Sequence, residues 1–310
     1  MNNKNLLITG GAGFIGSHTV NELINNNDIV IIDNFSTGNI NNIDNPHHEN
    51  LKIISQDIRK VNFDEVTENI DYIFHFAAMA NVQLSIENPL ECYEINLDAT
   101  VRLLNSAIEN DVKKVVFASS SSVYGDNENL PLKESETLMP ASPYAASKAG
   151  CELYLKTFHE DYGLDYVALR YFNIFGPKQD KNSPYAAVIP NFISALLKGE
   201  TPIIYGDGEQ SRDFAYIGDI VNANIKACES DFNGPLNIAS GEKITINQLY
   251  ELIRNALGSD IEAEHHAKRL GDIRYSLADV SNMEKIGLKI DSDNFKQHLM
   301  ETVDWFKSII

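Results

Sequence analysis

A glycine-rich segment near the start of the chain constrains the fold more than any other feature. The segment Thr9–Gly16 reads TGGAGFIG, with Gly10, Gly13 and Gly16 at three-residue spacing between a β-branched run and an amphipathic stretch. Glycines let the backbone of such a turn approach a phosphate group, which binds at the positive N-terminus of the following helix. A second apolar run ends in Asp33, where an acidic side chain binds ribose hydroxyls. The segment therefore predicts a dinucleotide-binding turn.

Short β-branched runs alternate with helical stretches through the first half of the chain. Apolar strands that alternate with helices indicate a parallel sheet covered on both faces, so we predict a doubly wound α/β domain. The predicted strands are Asn5–Thr9, Asp28–Asp33, Leu51–Ser55, Tyr72–Phe76, Lys114–Ala118 and Tyr166–Arg170. The predicted helices lie near Phe14–Asn26, Ile86–Asn110 and Pro143–Asp161.

The regular alternation weakens after Asn173. We expect residues 1–173, with about 215–238, to form the dinucleotide-binding domain. Residues 174–214 and 239–310 are expected to form a smaller, mixed α/β lobe that binds the substrate. Its predicted elements are a strand at Pro202–Tyr205 and helices near Val188–Leu197, Asp219–Glu229, Ile246–Leu257, Val280–Ile286 and Asp293–Phe306.

Composition narrows the partners and the compartment. The 310 residues include 25 Lys+Arg and 44 Asp+Glu, a net charge of −19, which argues against nucleic acid as a partner. The three widely spaced cysteines predict reduced thiols, and the histidines lack metal-ligand spacing. The chain shows no signal-peptide pattern and no run of eighteen apolar residues. We therefore expect a cytoplasmic protein with no metal and no membrane contact.

A tyrosine and a lysine form the second chemical signal. The segment SPYAASK places Tyr144 and Lys148 four residues apart, on one face of a predicted helix. A free phenol has a pKa of about 10, and a nearby ammonium favours the phenolate that a general base needs. The serine run Ser119–Ser122 follows a predicted strand, where hydroxyls face the ligand crevice of an open α/β sheet.

Together these motifs resemble one family over nearly the whole chain. The chain is similar to the extended short-chain dehydrogenases/reductases, in particular to the NAD-dependent epimerase/dehydratase family and its UDP-hexose 4-epimerases. The resemblance implies a Rossmann-type fold. It rests on TGGAGFIG, DNFSTG, HFAA, SSSSVYG, SPYAASK, RYFNIFGP, YAAVIP, GDGEQSRDF and RLGDIRYSLAD, which occur in that order.

The resemblance implies a mechanism in which no net oxidation occurs. Tyr144 matches the base that takes the proton from the sugar 4-hydroxyl while hydride passes to NAD, and Lys148 matches the residue that binds the nicotinamide ribose. Ser120 matches the hydroxyl that binds the sugar O4. The 4-keto sugar then rotates and receives the hydride on its other face, so NAD stays bound. This implies interconversion of UDP-glucose with UDP-galactose, and of their N-acetyl forms.

The resemblance also implies the binding residues. Asp33, with no Lys or Arg in the following NFSTGN, favours NAD over NADP. The implied NAD contacts are Gly10, Gly13, Phe14, Ile15, Gly16, Asp33, Asn34, Ser36, Thr37, Gly38, Asp57, Ile58, Phe76, Ala77, Ala78, Asn96, Ser119, Tyr144, Lys148 and Tyr171. The implied UDP-sugar contacts are Ser85, Ser120, Ser121, Ser122, Tyr144, Asn173, Val188, Tyr205, Arg212, Arg269, Asp272 and Ser276.

The roles of four residues have alternatives. Arg212 and Arg269 match a pair that clamps the diphosphate, which guanidinium groups bind bidentately, but each alone is compatible with a surface ion pair. Ser85 matches a hydroxyl that faces substrate, and it is equally compatible with a cap of the following helix. Tyr124 looks like a substrate-side residue or a packed aromatic.

Particular residues within the motifs distinguish this chain from related enzymes with other activities. The related 4,6-dehydratases carry acidic residues where this chain has Ser121 and Ser122, and UDP-glucuronate decarboxylases use a Glu in this segment. Ser276 aligns with a position where a Tyr excludes the 2-N-acetyl group, so we expect N-acetylhexosamines to fit. UDP-glucuronate 4-epimerase is the nearest alternative, and a non-catalytic NAD-binding sensor is a distant one. The helices near Ile86–Asn110 and Pro143–Asp161 match those that form a homodimer in the family.

Overall fold

The computed structural model describes residues 1–180, 187–268 and 273–310. Its strands are β1 (Asn5–Thr9), β2 (Asp28–Asp33), β3 (Leu51–Ser55), β4 (Tyr72–His75), β5 (Lys114–Ser120), β6 (Asp165–Tyr171), β7 (Asn173–Phe175), β8 (Ile203–Tyr205), β9 (Ser211–Arg212), β10 (Phe214–Tyr216), β11 (Gly234–Ile238), β12 (Ile244–Thr245) and β13 (Glu264–His266). Its helices are α1 (Phe14–Leu23), α2 (Phe63–Val66), α3 (Val82–Glu87), α4 (Pro89–Tyr93), α5 (Ala99–Glu109), α6 (Pro143–Tyr162), α7 (Val188–Leu197), α8 (Ile217–Glu229), α9 (Ile246–Leu257), α10 (Ser281–Lys285) and α11 (Phe295–Ile309).

A parallel sheet of seven strands forms the centre of the fold, in the order β11-β6-β5-β4-β1-β2-β3. Alternate side chains of a strand point to opposite faces. Leu6 and Ile8 of β1 accordingly lie in one buried cluster, whereas Leu7 lies in another. Both faces of the sheet are therefore covered, which confirms the predicted Rossmann-type α/β class.

The remaining strands lie outside this sheet, in three pairs: β7 with β10, β8 with β13, and β9 with β12. A separate apolar cluster joins α7, α9 and α11, with Phe192, Leu249 and Phe306 buried at its centre. None of the helices in the described parts of the chain is long and apolar enough to cross a membrane.

Local sequence signals predicted the regular elements closely. Strands β1, β2 and β3 and helices α7 and α9 have the predicted bounds. The long helix predicted near Ile86–Asn110 is instead divided, because Pro89 begins a new helix and the chain forms a π-helical turn at Glu94–Asp98. Strands β7, β9, β10, β12 and β13 were not predicted, since two or three residues show no alternation of apolar and polar side chains. The five-residue strand β11, at the edge of the central sheet, was not predicted either.

A buried ion pair joins α6 to the sheet. Both oxygens of the Glu152 carboxylate accept hydrogen bonds from Arg170 of β6, at 2.6 Å for the shortest contact, and the two side chains are only 6% and 3% exposed. Ser119 of β5 also donates to Glu152, and Arg170 donates to the hydroxyl of Tyr124 at 2.9 Å. The pair therefore fixes α6 against the carboxyl ends of β5 and β6.

We expect Arg170→Met to destabilise the protein by about 3–5 kcal/mol, because it leaves the Glu152 carboxylate buried without its counter-ion. Lys307→Met is the matched control: it removes a cation from an exposed pair with Asp304 at 3.3 Å and should cost less than about 1 kcal/mol. Urea denaturation followed by circular dichroism measures both. Equal losses in the two variants would contradict the importance of the buried pair.

Candidate active site

The predicted glycine turn joins β1 to α1. Gly10 has φ +68, a conformation that favours glycine, and a Cβ there would lie 2.8 Å from the backbone nitrogen of Ala77. A Cβ on Gly16 would lie 2.1 Å from the carbonyl oxygen of Gly10. Gly13, which precedes the first turn of α1, has no side chain to cover the helix N-terminus. The turn thus leaves the amides of this helix end open to an anion.

Asp33 ends β2 beside this turn. Its carboxylate is almost fully buried and accepts hydrogen bonds from the amides of Ala12 at 2.9 Å and Phe35 at 2.8 Å. The following loop returns over the site, so that a Cβ on Gly38 would lie 2.9 Å from both carboxylate oxygens. Each of these oxygens has a further lone pair for a ribose hydroxyl. The glycine turn and Asp33 together fit a dinucleotide.

The structure brings the three predicted catalytic side chains together. Ser120 lies at the end of β5, and its side chain hydrogen-bonds the phenol of Tyr144 in the first turn of α6. Lys148 follows one helical turn later, with its Nζ 5.9 Å from the centroid of the Tyr144 ring. Ser142 begins α6 by accepting a hydrogen bond from the amide of Ala145 at 3.1 Å, which sets the position of the tyrosine.

Lys148 is buried against the sheet. Its Nζ donates to the carbonyl of Ala118 at 2.7 Å and lies 4.7 Å from the centre of the Phe117 ring. Burial lowers the pKa of Lys148 to about 8, against the opposing effect of nearby thiols and of Glu152. The ammonium is therefore largely retained at neutral pH.

Burial also raises the pKa of Tyr144, and the hydrogen bond from Ser120 opposes that rise by stabilising the phenolate. The expectation that the Lys148 ammonium favours the phenolate stays a prediction. In the structure the ammonium donates to the carbonyl of Ala118, and Ser120 is the side chain whose hydrogen bond lowers the pKa of the phenol.

Serine hydroxyls hold the backbone of the tyrosine on both sides. Ser85 accepts a hydrogen bond from the amide of Tyr144 at 3.1 Å, and Ser147 donates to its carbonyl at 2.7 Å. Asn96 donates to Ser147 at 3.0 Å and accepts from the amide of Met79 at 2.7 Å. The interpretation of Ser85 as a helix cap is wrong. Ser85 lies inside α3, whose N-cap is Asn81, and the N-cap of the next helix, α4, is Asn88. The substrate contact of Ser85 stays a prediction.

The other serines of the run differ in their surroundings. Ser119, predicted to contact the cofactor, directs its hydroxyl to Glu152 instead. Ser121 begins a 3-10 turn whose N-cap is Ser120. The Oγ of Ser122 is buried and has no hydrogen-bond partner among the described residues. Tyr124 is a packed aromatic, with its hydroxyl donated to Asn237 at 2.6 Å.

The remaining predicted cofactor residues lie around the carboxyl ends of β1 to β4. Asp57 caps the turn that begins at Ile58 and binds Arg59 at 2.7 Å. Tyr171 is the exception: it ends β6 and is buried, and its hydroxyl donates to Asn224 at 2.7 Å. The others occupy the turn after β1, the loop after β2 and the segment after β4: Phe14, Ile15, Asn34, Ser36, Thr37, Phe76, Ala77 and Ala78.

Five further predicted substrate residues are described, and all of them lie outside the seven-stranded sheet. Asn173 begins β7, and its side chain donates to the carbonyl of Asp213 at 3.1 Å. Arg212 lies in β9, and Ser276 is buried with its amide bonded to the carbonyl of Ser211 at 3.1 Å. The remaining two are Val188 at the start of α7 and Tyr205 in β8. Arg269 and Asp272 lie outside the described residues.

Sequence reasoning missed two buried polar groups behind the site. Glu152 lies four residues after Lys148 on the same helix face, a spacing that was available as a signal. His75 lies between the hydroxyls of Thr9 at 2.6 Å and Thr100 at 2.8 Å, and burial lowers its pKa to about 3. Thr9 in turn accepts from the amide of Ala77 at 3.2 Å, so this neutral histidine supports the glycine turn.

Several known proteins are similar to this chain in sequence or structure over nearly its whole length. A "putative UDP-glucose 4-epimerase" of Methanocaldococcus jannaschii is 40% identical over 98% of both chains. The UDP-N-acetylglucosamine 4-epimerase of Methanobrevibacter ruminantium, solved with UDP-N-acetylmuramic acid, is 56% identical over 100% of both chains with a TM-score of 0.99. The Thermus thermophilus UDP-glucose 4-epimerase, solved with NAD, is 32% identical with a TM-score of 0.90, covering 99% of this chain and 100% of that one.

The match to a known family is equally extensive. The family described as GDP-mannose 4,6 dehydratase matches residues 7–299. This range includes the glycine turn, the serine run and the Tyr144–Lys148 pair. The chain therefore belongs to this family, within the extended short-chain dehydrogenases/reductases that its motifs resemble.

Proposed function

We propose that the protein is an NAD-dependent nucleotide-sugar 4-epimerase that acts on UDP-hexoses. The observation that carries the proposal is the group of Ser120, Tyr144 and Lys148, set beside the glycine turn. The relatives named as UDP-glucose and UDP-N-acetylglucosamine 4-epimerases support the same activity. UDP-glucose/UDP-galactose and UDP-GlcNAc/UDP-GalNAc are the proposed substrate pairs.

The glycine turn and Asp33 fit NAD as the cofactor. When bound, NAD supplies a hydride acceptor and then a hydride donor at the sugar C4. The Gly10–Gly16 turn would hold the pyrophosphate, and Asp33 would bind the adenosine ribose through the free lone pairs of its carboxylate. The negative charge of Asp33 disfavours the 2′-phosphate of NADP.

The protein's own groups handle the proton. The Tyr144 phenolate accepts the proton of the sugar 4-hydroxyl and later returns it to the same oxygen. Ser120 donates a hydrogen bond to the phenolate, which stabilises the charged form. Lys148 places a positive charge within 5.9 Å of the Tyr144 ring. Ser122, whose Oγ lacks a described partner, is available to a sugar hydroxyl.

The residues beside Ser120 favour epimerisation over elimination. A 4,6-dehydratase needs acid and base side chains at the sugar C5 and C6, and Ser121 and Ser122 do not ionise at neutral pH. The family that matches this chain is described as a 4,6 dehydratase. This chain, however, has two serines where the dehydratases carry acidic residues. UDP-glucuronate 4-epimerase is the second candidate, since those enzymes share a similar serine run.

Proton NMR of the purified protein with UDP-glucose, UDP-GlcNAc and UDP-glucuronate in separate tubes tests the activity. Without added NAD, we expect conversion of the first two sugars to their C4 epimers, because the cofactor is regenerated in each turnover and stays bound. Conversion of UDP-glucuronate alone would replace the substrate proposal. If none of the three reacts even with NAD added, the epimerase proposal is wrong.

Tyr144→Phe is the matched variant for the catalytic base. It removes one hydroxyl and should lower kcat by at least about 100-fold while NAD stays bound, because general acid–base catalysis contributes 10²–10⁴-fold. Bound NAD is measured by absorbance after denaturation. Unchanged turnover would refute the assignment of Tyr144 as the base.

We call Ser276 the gatekeeper, because the size of the side chain at this position is expected to decide whether the 2-N-acetyl group fits. This role predicts a change of substrate specificity when the residue is enlarged. Ser276 is small and buried, with its backbone tied to β9. In Ser276→Tyr, a bulky ring should lower kcat/KM for UDP-GlcNAc at least about tenfold relative to UDP-glucose, since pockets discriminate by steric fit. Competition between the two substrates measures the ratio. An unchanged ratio would contradict the role of Ser276.

The homodimer is supported by an apolar surface on the helices that the resemblance implicates. Large apolar side chains of α3, α4 and α6 are exposed together, and contiguous apolar surface marks protein–protein contacts. Leu90 and Leu153 are the most exposed of them, at 68% and 62%. The set comprises Val82, Leu84, Ile86, Leu90, Tyr93, Leu153 and Tyr154. We propose that a second copy of the chain covers it.

Light scattering tests the dimer. The unmodified protein should have twice the chain mass of 34.6 kDa, and the double variant Leu90→Glu/Leu153→Glu should have the mass of one chain, because charges would be buried at the interface. Met300→Glu, at an exposed position of α11, is the control and should stay dimeric. A dimeric double variant would exclude this surface.

We also propose a reducing, cytoplasmic location. Cys92, Cys151 and Cys228 are free thiols, all buried. Free buried cysteines are typical of proteins in a reducing compartment.

A further inference from the structure

Asp213 is a completely buried carboxylate that the catalytic steps do not use. It lies between β9 and β10, directly after Arg212. Its Oδ1 accepts hydrogen bonds from the amide of Ser240 at 2.8 Å and from the hydroxyl of Ser240 at 2.7 Å. Its Oδ2 accepts from the amides of Gly241 at 3.0 Å and Ala278 at 3.3 Å. One side chain thus joins two segments that are almost forty residues apart in sequence.

The backbone of Asp213 holds a third segment. Its carbonyl accepts from both the amide of Asn173, at 3.0 Å, and the side-chain nitrogen of Asn173, at 3.1 Å. Asn173 begins β7, which pairs with β10. Asp213 is therefore the shared contact of β7, the loop after β11 and the segment around Ala278.

Two of these segments carry a residue proposed to bind the nucleotide sugar, and a third such residue, Arg212, directly precedes Asp213. Asn173 and Arg212 are proposed contacts of the diphosphate, and Ser276, two residues before Ala278, is the proposed gatekeeper. Ser276 is also bonded to Ser211, so both ends of β9 are linked to this cluster. The relative positions of the three proposed contacts thus depend on the hydrogen bonds of Asp213.

The ionised carboxylate is the form that suits this position. Burial raises the pKa of Asp213 to about 6, although the hydrogen bonds from Ser240, Gly241 and Ala278 oppose that rise, so the group is charged at neutral pH. A carboxylate can accept from all four donors at once. An asparagine amide in its place has only one accepting oxygen. Its NH₂ group would face either the amides of Gly241 and Ala278 or the amide and hydroxyl of Ser240.

We propose that Asp213 is a positioning residue for nucleotide-sugar binding, which sets Asn173, Arg212 and Ser276 in the geometry that the UDP-sugar requires. The proposal rests on the proposed function. It predicts an effect on binding of the nucleotide, not on the proton and hydride steps, because the hydrogen bonds of the Asp213 carboxylate go to Ser240, Gly241 and Ala278 and not to Tyr144 or Lys148.

Isothermal titration calorimetry with UDP, together with steady-state kinetics, tests the role of Asp213. In Asp213→Asn we expect Kd for UDP and KM for the UDP-sugar to rise at least about tenfold, since a buried donor left unsatisfied is costly. The value of kcat at saturation and the amount of bound NAD should stay within about threefold of the unmodified protein. Such a split between KM and kcat is not expected from a general loss of structure.

Two further variants keep the test decisive. Asp219→Asn makes the same chemical change at a half-buried carboxylate of α8, which faces His298 at 3.9 Å, and should leave Kd for UDP unchanged. Ser240→Ala removes one of the four hydrogen bonds to the Asp213 carboxylate, together with the contacts of the Ser240 hydroxyl with the backbone of Glu242. It should raise Kd for UDP by about threefold, and it provides the test if Asp213→Asn does not fold.

The outcomes separate this proposal from the proposed function. An unchanged Kd for UDP in folded Asp213→Asn, or in Ser240→Ala where the first variant does not fold, would overturn the positioning role while the activity stands. Equal losses of kcat, bound NAD and UDP affinity would also overturn it, since they indicate a general structural defect. Failure of the unmodified protein to bind UDP would overturn the proposed function itself.

Discussion

The buried pair between Glu152 and Arg170 is the interaction on which the catalytic geometry depends. Two charges removed from water are tolerated only where each finds its partners, so the pair permits little variation in the distance between α6 and the sheet. Ser119 donates to the same carboxylate. Because Ser120 follows Ser119 in β5, and Tyr144 precedes Glu152 by two helical turns, the pair also fixes the Ser120–Tyr144 contact.

Helix α6 carries this geometry along one face. Tyr144, Lys148 and Glu152 follow at four-residue intervals, and each contacts the carboxyl end of β5 at a different depth. The phenol meets Ser120 near the cleft, the ammonium meets the Ala118 carbonyl behind it, and the carboxylate meets Ser119 and Arg170 in the interior. The reacting group is thus anchored by two charged groups that never need to reach the substrate.

The sequence predicted the parts of this arrangement that depend on neighbouring residues. The turn at Gly10–Gly16, the start of α6 and the bounds of β1 to β3 follow from local spacing and alternation. The hydrogen bonds that join Ser85 and Ser119 to α6 could not be predicted, because each connects residues more than thirty positions apart in the sequence. The role of Asp213 was hidden for the same reason: its partners Ser240 and Ala278 lie far along the chain.

The two halves of the site differ in whether their residues lie close together or far apart in the sequence. The proposed cofactor half is built largely from consecutive strand–turn–helix units, so a single motif such as TGGAGFIG specifies both its residues and their geometry. The proposed nucleotide-sugar half takes Asn173, Arg212 and Ser276 from separate segments without a common helix or a long strand. These separate segments need a shared contact that holds them together, and the residue types alone do not reveal that contact. A buried carboxylate with four donors supplies it, because its hydrogen bonds are satisfied only when all the segments are in place.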